Sequence, residues 1–227
     1  MKIAIISGGD ISIEWARAFF KKENFDYIVC ADGGMKTAIA LDLYVDYFTG
    51  DFDSIEENAV TTYKDQNKNT LVIDPHSSIK DETDTENAIC HAIDTINQST
   101  STHSQRDEIY IIGGLGGRFD HALINVYLLE KLLKQGIDSY IVDPWNRIRM
   151  IKQSIILKKD EQYGKYVSLI AYSDEVGNIT LKGFKYPLTN RSIKKSDSLT
   201  ISNEIEANEG QILFEGGIFI VIESRDA

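Results

Sequence analysis

The residue pattern changes character once, at Pro144, and that change leaves few architectures open to the chain. Before it, short β-rich runs alternate with helical patterns: KIAIIS (2–7), DYIVCA (26–31), DYFTG (46–50), TLVID (70–74), EIYIIGG (108–114) and SYIVD (139–143). Strands separated by helices can pair in parallel, which predicts a doubly wound parallel sheet with helices on both faces. Ala88, Ile89, Ala92, Ile93 and Ile96 fall on one helical stripe, as do Ala122, Val126, Leu129 and Leu133, and Gly136 supplies a helix stop. Beyond Pro144 helical periodicity disappears. Strand-like runs recur at 147–157, 166–172, 179–184, 199–205, 211–214 and 218–222, divided by Gly164, Gly177-Asn178, Asn208-Glu209-Gly210 and Gly216-Gly217. The expectation is an α/β domain over residues 1–144 and an all-β domain over 145–227, the latter a small antiparallel sandwich or barrel. The polar stretch 97–106 reads as a surface loop.

Charge narrows the partners. With 24 Lys+Arg against 35 Asp+Glu the formal net charge is −11, which opposes binding to nucleic acid or to an anionic membrane. No apolar run approaches the ~20 residues of a membrane span, and Ile3 to Ile6 ends at once in Ser7-Gly8-Gly9-Asp10, unlike a signal peptide. The two cysteines, Cys30 and Cys90, sit singly in apolar segments, as reduced thiols of a cytoplasmic protein do. An anionic ligand would require a divalent metal, basic side chains or helix N-termini to offset the field.

Ligands of doubly wound sheets bind beyond the carboxyl ends of the strands, and three clusters stand there. In Gly50-Asp51-Phe52-Asp53-Ser54 the carboxylates at i and i+2 point the same way in an extended stretch and offer Mg²⁺ hard oxygen ligands; equally, Asp53 or Ser54 could cap a following helix. Lys80-Asp81-Glu82-Thr83-Asp84-Thr85-Glu86 opens a helix, with Thr83 and Glu86 spaced as a capping box. Asp81 and Asp84 add charge beyond what a cap needs, which leaves one or both to hold metal or accept a proton, although a capping and solvated helix start accounts for them as well; Lys80 can lie near phosphate. Gly113-Gly114-Leu115-Gly116-Gly117-Arg118-Phe119-Asp120-His121 combines backbone amides, a helix start and a guanidinium suited to phosphate, without Walker A or GxGxxG spacing. Asp120 could instead be an N-cap and His121 a packed or solvated histidine. Asp32, in Ala31-Asp32-Gly33-Gly34, either lines the same crevice or makes a strand-to-helix turn.

Taken in order, Ala31-Asp32-Gly33-Gly34, Gly50-Asp51-Phe52-Asp53-Ser54, Lys80-Asp81-x-x-Asp84-x-Glu86 and Gly116-Gly117-Arg118-Phe119-Asp120-His121 resemble the motifs of the thiamine pyrophosphokinase family. In the β region, Gly183 to Leu188 and Leu199 to Glu204 resemble its C-terminal motifs, and Tyr186 stands where eukaryotic members tend to carry Trp, so the chain is similar to bacterial members. The resemblance implies transfer of pyrophosphate from ATP to thiamine, giving thiamine diphosphate and AMP. It further implies a homodimer, ATP and Mg²⁺ on the α/β domain, and thiamine near the β domain with contributions from the partner subunit. Asp51, Asp53 and Asp84 would be the metal ligands. Asp81 and Asp120 would position or deprotonate the attacking hydroxyl and Arg118 would hold phosphate. Asp32, Lys80, Gly116, Gly117 and His121 would border the ATP site, and Ser202 and Asn203 the thiamine site.

Two other classes remain at this point. Asp51-x-Asp53 superficially matches the nucleophile and acid of haloacid-dehalogenase-type phosphatases, although there the pair follows the first strand and here two strand-like runs precede it. A nucleotide or thiamine sensor would bind without turnover, against which the surplus of carboxylates argues.

Overall fold

The computed structural model describes residues 1–50, 72–74, 82–99 and 106–226, of 72–74 the backbone alone. It divides into two compact units, Met1–Pro144 and Trp145–Ala227.

In the first unit the strands β1 (Lys2–Ile6), β2 (Tyr27–Ala31), β3 (Tyr47–Thr49), β4 (Val72–Asp74), β5 (Glu108–Ile112) and β6 (Asp138–Val142) are all parallel. Their spatial order is β6-β5-β1-β2-β3-β4. The helices described are α1 (Ile13–Glu23), α2 (Gly34–Leu41), α3 (Asp84–Gln98) and α4 (Phe119–Lys134). Successive strand residues point to opposite faces, and here both faces are apolar: Ala4, Ile6, Cys30, Phe48 and Ile112 pack against Phe19, Phe20, Met35 and Ala38 of α1 and α2. The alternate set Ile3, Ile5, Val29, Ile109 and Ile111 is equally inaccessible, and α3 lies against β1, β2 and β3 while α4 lies against β6. Each buried side chain of this size contributes about 1.5–3 kcal/mol.

Helix boundaries follow local chemistry. Ser12 caps α1 by accepting from the Trp15 amide at 3.4 Å, and Thr83 caps α3 by accepting from the Glu86 amide at 3.2 Å. The Glu86 carboxylate is engaged across the helices with Lys131 of α4. After α4, Gly136 takes φ +76°, the left-handed conformation that ends a helix. The buried face of α4 is Asn125, Leu128, Leu129 and Leu132, a shift from the stripe 122/126/129/133 expected from sequence, of which Leu129 is buried and Ala122, Val126 and Leu133 are half-buried. A polar residue on the core face misled the pattern. The expected loop 97–106 also starts too early, since Asn97 and Gln98 finish α3.

In the second unit, β7 (Asn146–Ile151), β8 (Ile155–Lys158), β9 (Tyr166–Ala171), β10 (Glu175–Lys182), β11 (Leu188–Lys194), β12 (Asn203–Glu204), β13 (Glu209–Glu215) and β14 (Phe219–Ser224) pair antiparallel. One sheet runs β7-β14-β9-β12 and the other β11-β10-β13-β8. Leu169, Ala171, Phe219 and Val221 of the first meet Val176, Ile179, Leu181, Ile212 and Phe214 of the second in one apolar cluster, the core of a sandwich.

Strand assignments differ from the sequence reading in three places, the first being the run expected at 147–157, which is two strands, β7 and β8, lying in different sheets. Within 199–205 only Asn203–Glu204 is strand, because hydroxyl groups capture the backbone instead: Thr200 Oγ1 donates to the Leu169 carbonyl at 2.6 Å and Ser168 Oγ accepts from the Ser202 amide at 2.9 Å. Strand β11 gave no apolar signal, since Ile193 is its single buried residue.

Candidate active site

The order β6-β5-β1-β2-β3-β4 reverses direction between β1 and β5, so the loops leaving these two strands diverge and open a crevice at their carboxyl ends. A cleft of about 270 Å³ lies there, lined by the loops after β1 and β5, by Ala31 and Asp32, by the start of α3 and by the first turns of α4.

Main chain builds much of its wall. Gly113, at φ +75°, runs so close to β1 that a Cβ would stand 2.6 Å from the Ser7 carbonyl oxygen, and a Cβ on Gly116 would stand 2.6 Å from the Asp10 nitrogen. Any larger residue would force the two loops apart. They are joined by hydrogen bonds from the Ser7 amide to the Ile112 carbonyl at 2.8 Å and from the Gly9 amide to the Gly113 carbonyl at 3.2 Å. The Ser7 hydroxyl lies 3.0 Å from that of Thr85, tying the end of β1 to the first turn of α3.

The side chains carry opposed charges. Asp10, Asp32 and Asp84 line the cleft, and Arg118 and His121 line it from the start of α4. Asp32 adopts φ +46°, a left-handed conformation that Asp tolerates better than most residues, and its amide donates to the Thr49 carbonyl at 2.9 Å. Arg118 occupies the N-cap position of α4, so Asp120 is not the N-cap but the second helical residue. Arg118 donates to Asp120 through Nε at 3.2 Å and Nη2 at 2.5 Å, and the His121 amide donates to Asp120 Oδ1 at 3.0 Å. The Arg118 hydrogen bond holds the Asp120 carboxyl below the usual aspartate range, and Asp120 in turn pushes the guanidinium up.

Of the residues singled out from sequence, Asp32, Asp84, Gly116, Gly117, Arg118 and His121 line this one cleft, with Asp120 hydrogen-bonded to Arg118. Asp51, Asp53, Lys80 and Asp81 lie outside the described residues. Ser202 and Asn203 belong to the second unit. Ser202 is exposed, with φ +56°. Asn203 is buried and clamps a neighbouring loop: Oδ1 accepts from the Tyr186 amide at 3.0 Å and Nδ2 donates to the Tyr186 carbonyl at 2.8 Å, leaving the Tyr186 ring largely exposed. The sequence reading missed Thr83, Thr85 and Asn125 as lining residues. Asn125 left a signal, a lone amide among the leucines of α4.

The comparisons agree with this architecture. A family model described as the thiamin pyrophosphokinase catalytic domain matches residues 21–141, and one described as the thiamin pyrophosphokinase vitamin B1 binding domain matches residues 152–219. Thiamine pyrophosphokinase of Bacillus subtilis (strain 168) is 36% identical over 178 residues, 78% of this chain and 77% of that protein. A crystal structure of thiamine pyrophosphokinase from Bacillus subtilis superimposes with a TM-score of 0.85 at 32% identity, covering 100% of both chains. That of thiamin pyrophosphokinase from Geobacillus thermodenitrificans gives a TM-score of 0.80 at 32% identity, covering 100% of this chain and 99% of that one. The chain belongs to the thiamin pyrophosphokinase family of enzymes.

Proposed function

We propose that the cleft between the β1 and β5 loops holds the phosphate chain of ATP during the reaction of this family, transfer of pyrophosphate from ATP to the thiamine hydroxyl. The observation that carries this reading is the meeting of a glycine-built wall with three aspartates and one arginine at the sheet's reversal point. Carboxylates alone would repel a polyphosphate. The donor set is hard oxygen, which fits Mg²⁺, and Asp84 would hold the ion together with Asp51 and Asp53. The metal would neutralise phosphate charge and so ease attack on the β-phosphorus with AMP leaving. Arg118 steadies phosphate oxygens, Asp32, Lys80, Gly116, Gly117 and His121 border the nucleotide, and Asp81 and Asp120 position or deprotonate the thiamine hydroxyl. Thiamine is held by the second unit through Ser202 and through the loop that Asn203 fixes.

The acting form is a homodimer in the cytoplasm. Supporting the dimer, α4 presents Phe119, 79% exposed, with Leu123, Ile124 and Tyr127, an apolar stripe suited to a second copy. Supporting the compartment, both cysteines are free thiols, and among the described residues no helix is long and apolar enough to cross a membrane. Titration calorimetry with ATP, with and without Mg²⁺, tests the cleft: metal-free ATP binding as tightly as the Mg²⁺ complex would sink the reading. An active monomer in sedimentation would remove the dimer.

A further inference from the structure

Two arginines of the second unit share one tyrosine. The Cζ atom of Arg147 stands 5.4 Å from the centroid of the Tyr163 ring and that of Arg225 stands 5.1 Å from it. The carboxylate beside them, Glu223, is taken up by Arg147 at 3.0 and 2.8 Å and by the Tyr163 amide at 3.1 Å. Arg225 donates instead to the Tyr163 carbonyl, and among the described residues no carboxylate lies within ion-pair distance of it.

Arg225 lines an open groove of about 570 Å³ whose charged residues are three cations, Lys159, Lys165 and Arg225, and one carboxylate, Glu204. Lys159 repeats the pattern of Arg225, since its ammonium donates to the Glu206 carbonyl at 3.2 Å and among the described residues it too lacks a carboxylate partner. A carbonyl orients a cation without cancelling its charge. Glu204 is already answered twice, by Lys165 at 3.6 Å and by Lys185 at 3.0 Å. The turn that carries Lys165 is fixed by Gln162, whose Nε2 donates to the carbonyls of Gly164 at 2.6 Å and Lys165 at 3.2 Å. In a chain of net charge −11 the groove is therefore a local reversal of sign, with its cations held in place before any ligand arrives.

We propose that this groove is a second anion site, taking a phosphate-bearing small molecule through Arg225 and Lys159, with Lys165 adding charge. A guanidinium has five N–H donors, so Arg225 keeps enough beyond its bond to Tyr163 to fork onto two phosphate oxygens, while a lysine acts as a point charge. Three separate cations match a polyvalent anion better than a single carboxylate. The groove shares no lining residue with the cleft of the first unit and does not depend on how that cleft is read.

The test uses the whole chain, with inorganic pyrophosphate as the probe and constant ionic strength. Amide resonances are followed by NMR during the titration. Those of Gly164, Lys165 and Arg225 should shift together and saturate, with a dissociation constant of about 1 mM or lower. Lys159→Gln combined with Arg225→Gln should weaken this binding at least about tenfold while thermal unfolding stays unchanged. Arg118→Ala, which alters the cleft of the first unit, should leave it as it was. If the double variant fails to fold, Lys159→Gln alone, a change at an exposed side chain, carries the test with a loss of at least about threefold. Shifts that grow without saturating, or that persist undiminished in the folded variants, would mean a surface anion without a site and overturn the proposal. Shifts confined to residues 113–118 would overturn it as well, since pyrophosphate would then bind in the cleft alone. Malonate binding as tightly as pyrophosphate would overturn the choice of phosphate.

Discussion

Arg118 grips Asp120 with two parallel hydrogen bonds at the first turn of α4, at 3.2 and 2.5 Å. Both side chains are solvent-exposed, so the pair's value lies in protonation state more than in stability. The folded pKa of Asp120 is depressed, so the pair's contribution is present above the unfolded aspartate value and lost as pH falls through the lower folded one. Arg118→Ala should therefore raise the Asp120 pKa, read by carbon NMR of the carboxyl, and high salt should shrink the difference. An unmoved Asp120 titration would show that the pairing does not persist in solution.

Asp84 stands in the first turn of α3, one residue from Thr85, whose hydroxyl is bridged to Ser7. Asp84→Asn should preserve the fold and lower turnover by at least about 10²-fold, since it removes charge from the proposed metal set. Asp51→Asn and Asp53→Asn should do the same. Near-normal turnover at saturating Mg²⁺ in a folded variant would take that residue out of the set.

The second unit holds a partly buried ion pair. Glu223 is 1% exposed and accepts from Arg147 Nε at 3.0 Å and Nη2 at 2.8 Å, and from the Tyr163 amide at 3.1 Å. Removing the guanidinium strands a carboxylate in the protein, so Arg147→Ala should cost about 3 kcal/mol in urea unfolding. A double replacement by apolar residues of similar volume should recover much of that loss. Equal stability of Arg147→Ala and the native chain would mean that water reaches Glu223.

Ser202 and Asn203 should separate by mechanism. Ser202→Ala should raise the Michaelis constant for thiamine with that for ATP nearly unchanged. Asn203→Ala should raise it too, but with a loss of stability, because the amide holds the Tyr186 main chain at both its donor and its acceptor. An equal effect of Ser202→Ala on both substrates would remove it from the thiamine site.

The nature of the transfer is open to a direct check. Phosphorus NMR of the reaction should show AMP and thiamine diphosphate appearing one for one. ADP with thiamine monophosphate as first products would contradict attack at the β-phosphorus.

What the sequence made visible was governed by apolar patterning. Strands such as Lys2–Ile6 and Glu108–Ile112 are continuous apolar runs because both faces of the sheet are covered, and they were legible. Leu188–Lys194 was not, since an edge strand with one buried residue carries no alternation. Within the cleft, charged residues after strand ends stood out more clearly than hydroxyl and amide groups. Ser7, Thr85 and Asn125 act through contacts 78 and 11 residues distant in sequence, which no local spacing announces. The core face of α4 was misplaced for the same reason, because a buried amide reads as a surface residue.

The close approach of Gly113 and Gly116 to the β1 loop has a consequence for how this chain tolerates change. Much of the cleft's shape depends on atoms that are missing, since each absent Cβ is the space occupied by Ser7 or Asp10 backbone. A saturation scan of residues 113–117 should thus give an inverted profile, with the smallest residues the least replaceable and Leu115, the one bulky side chain, the most permissive.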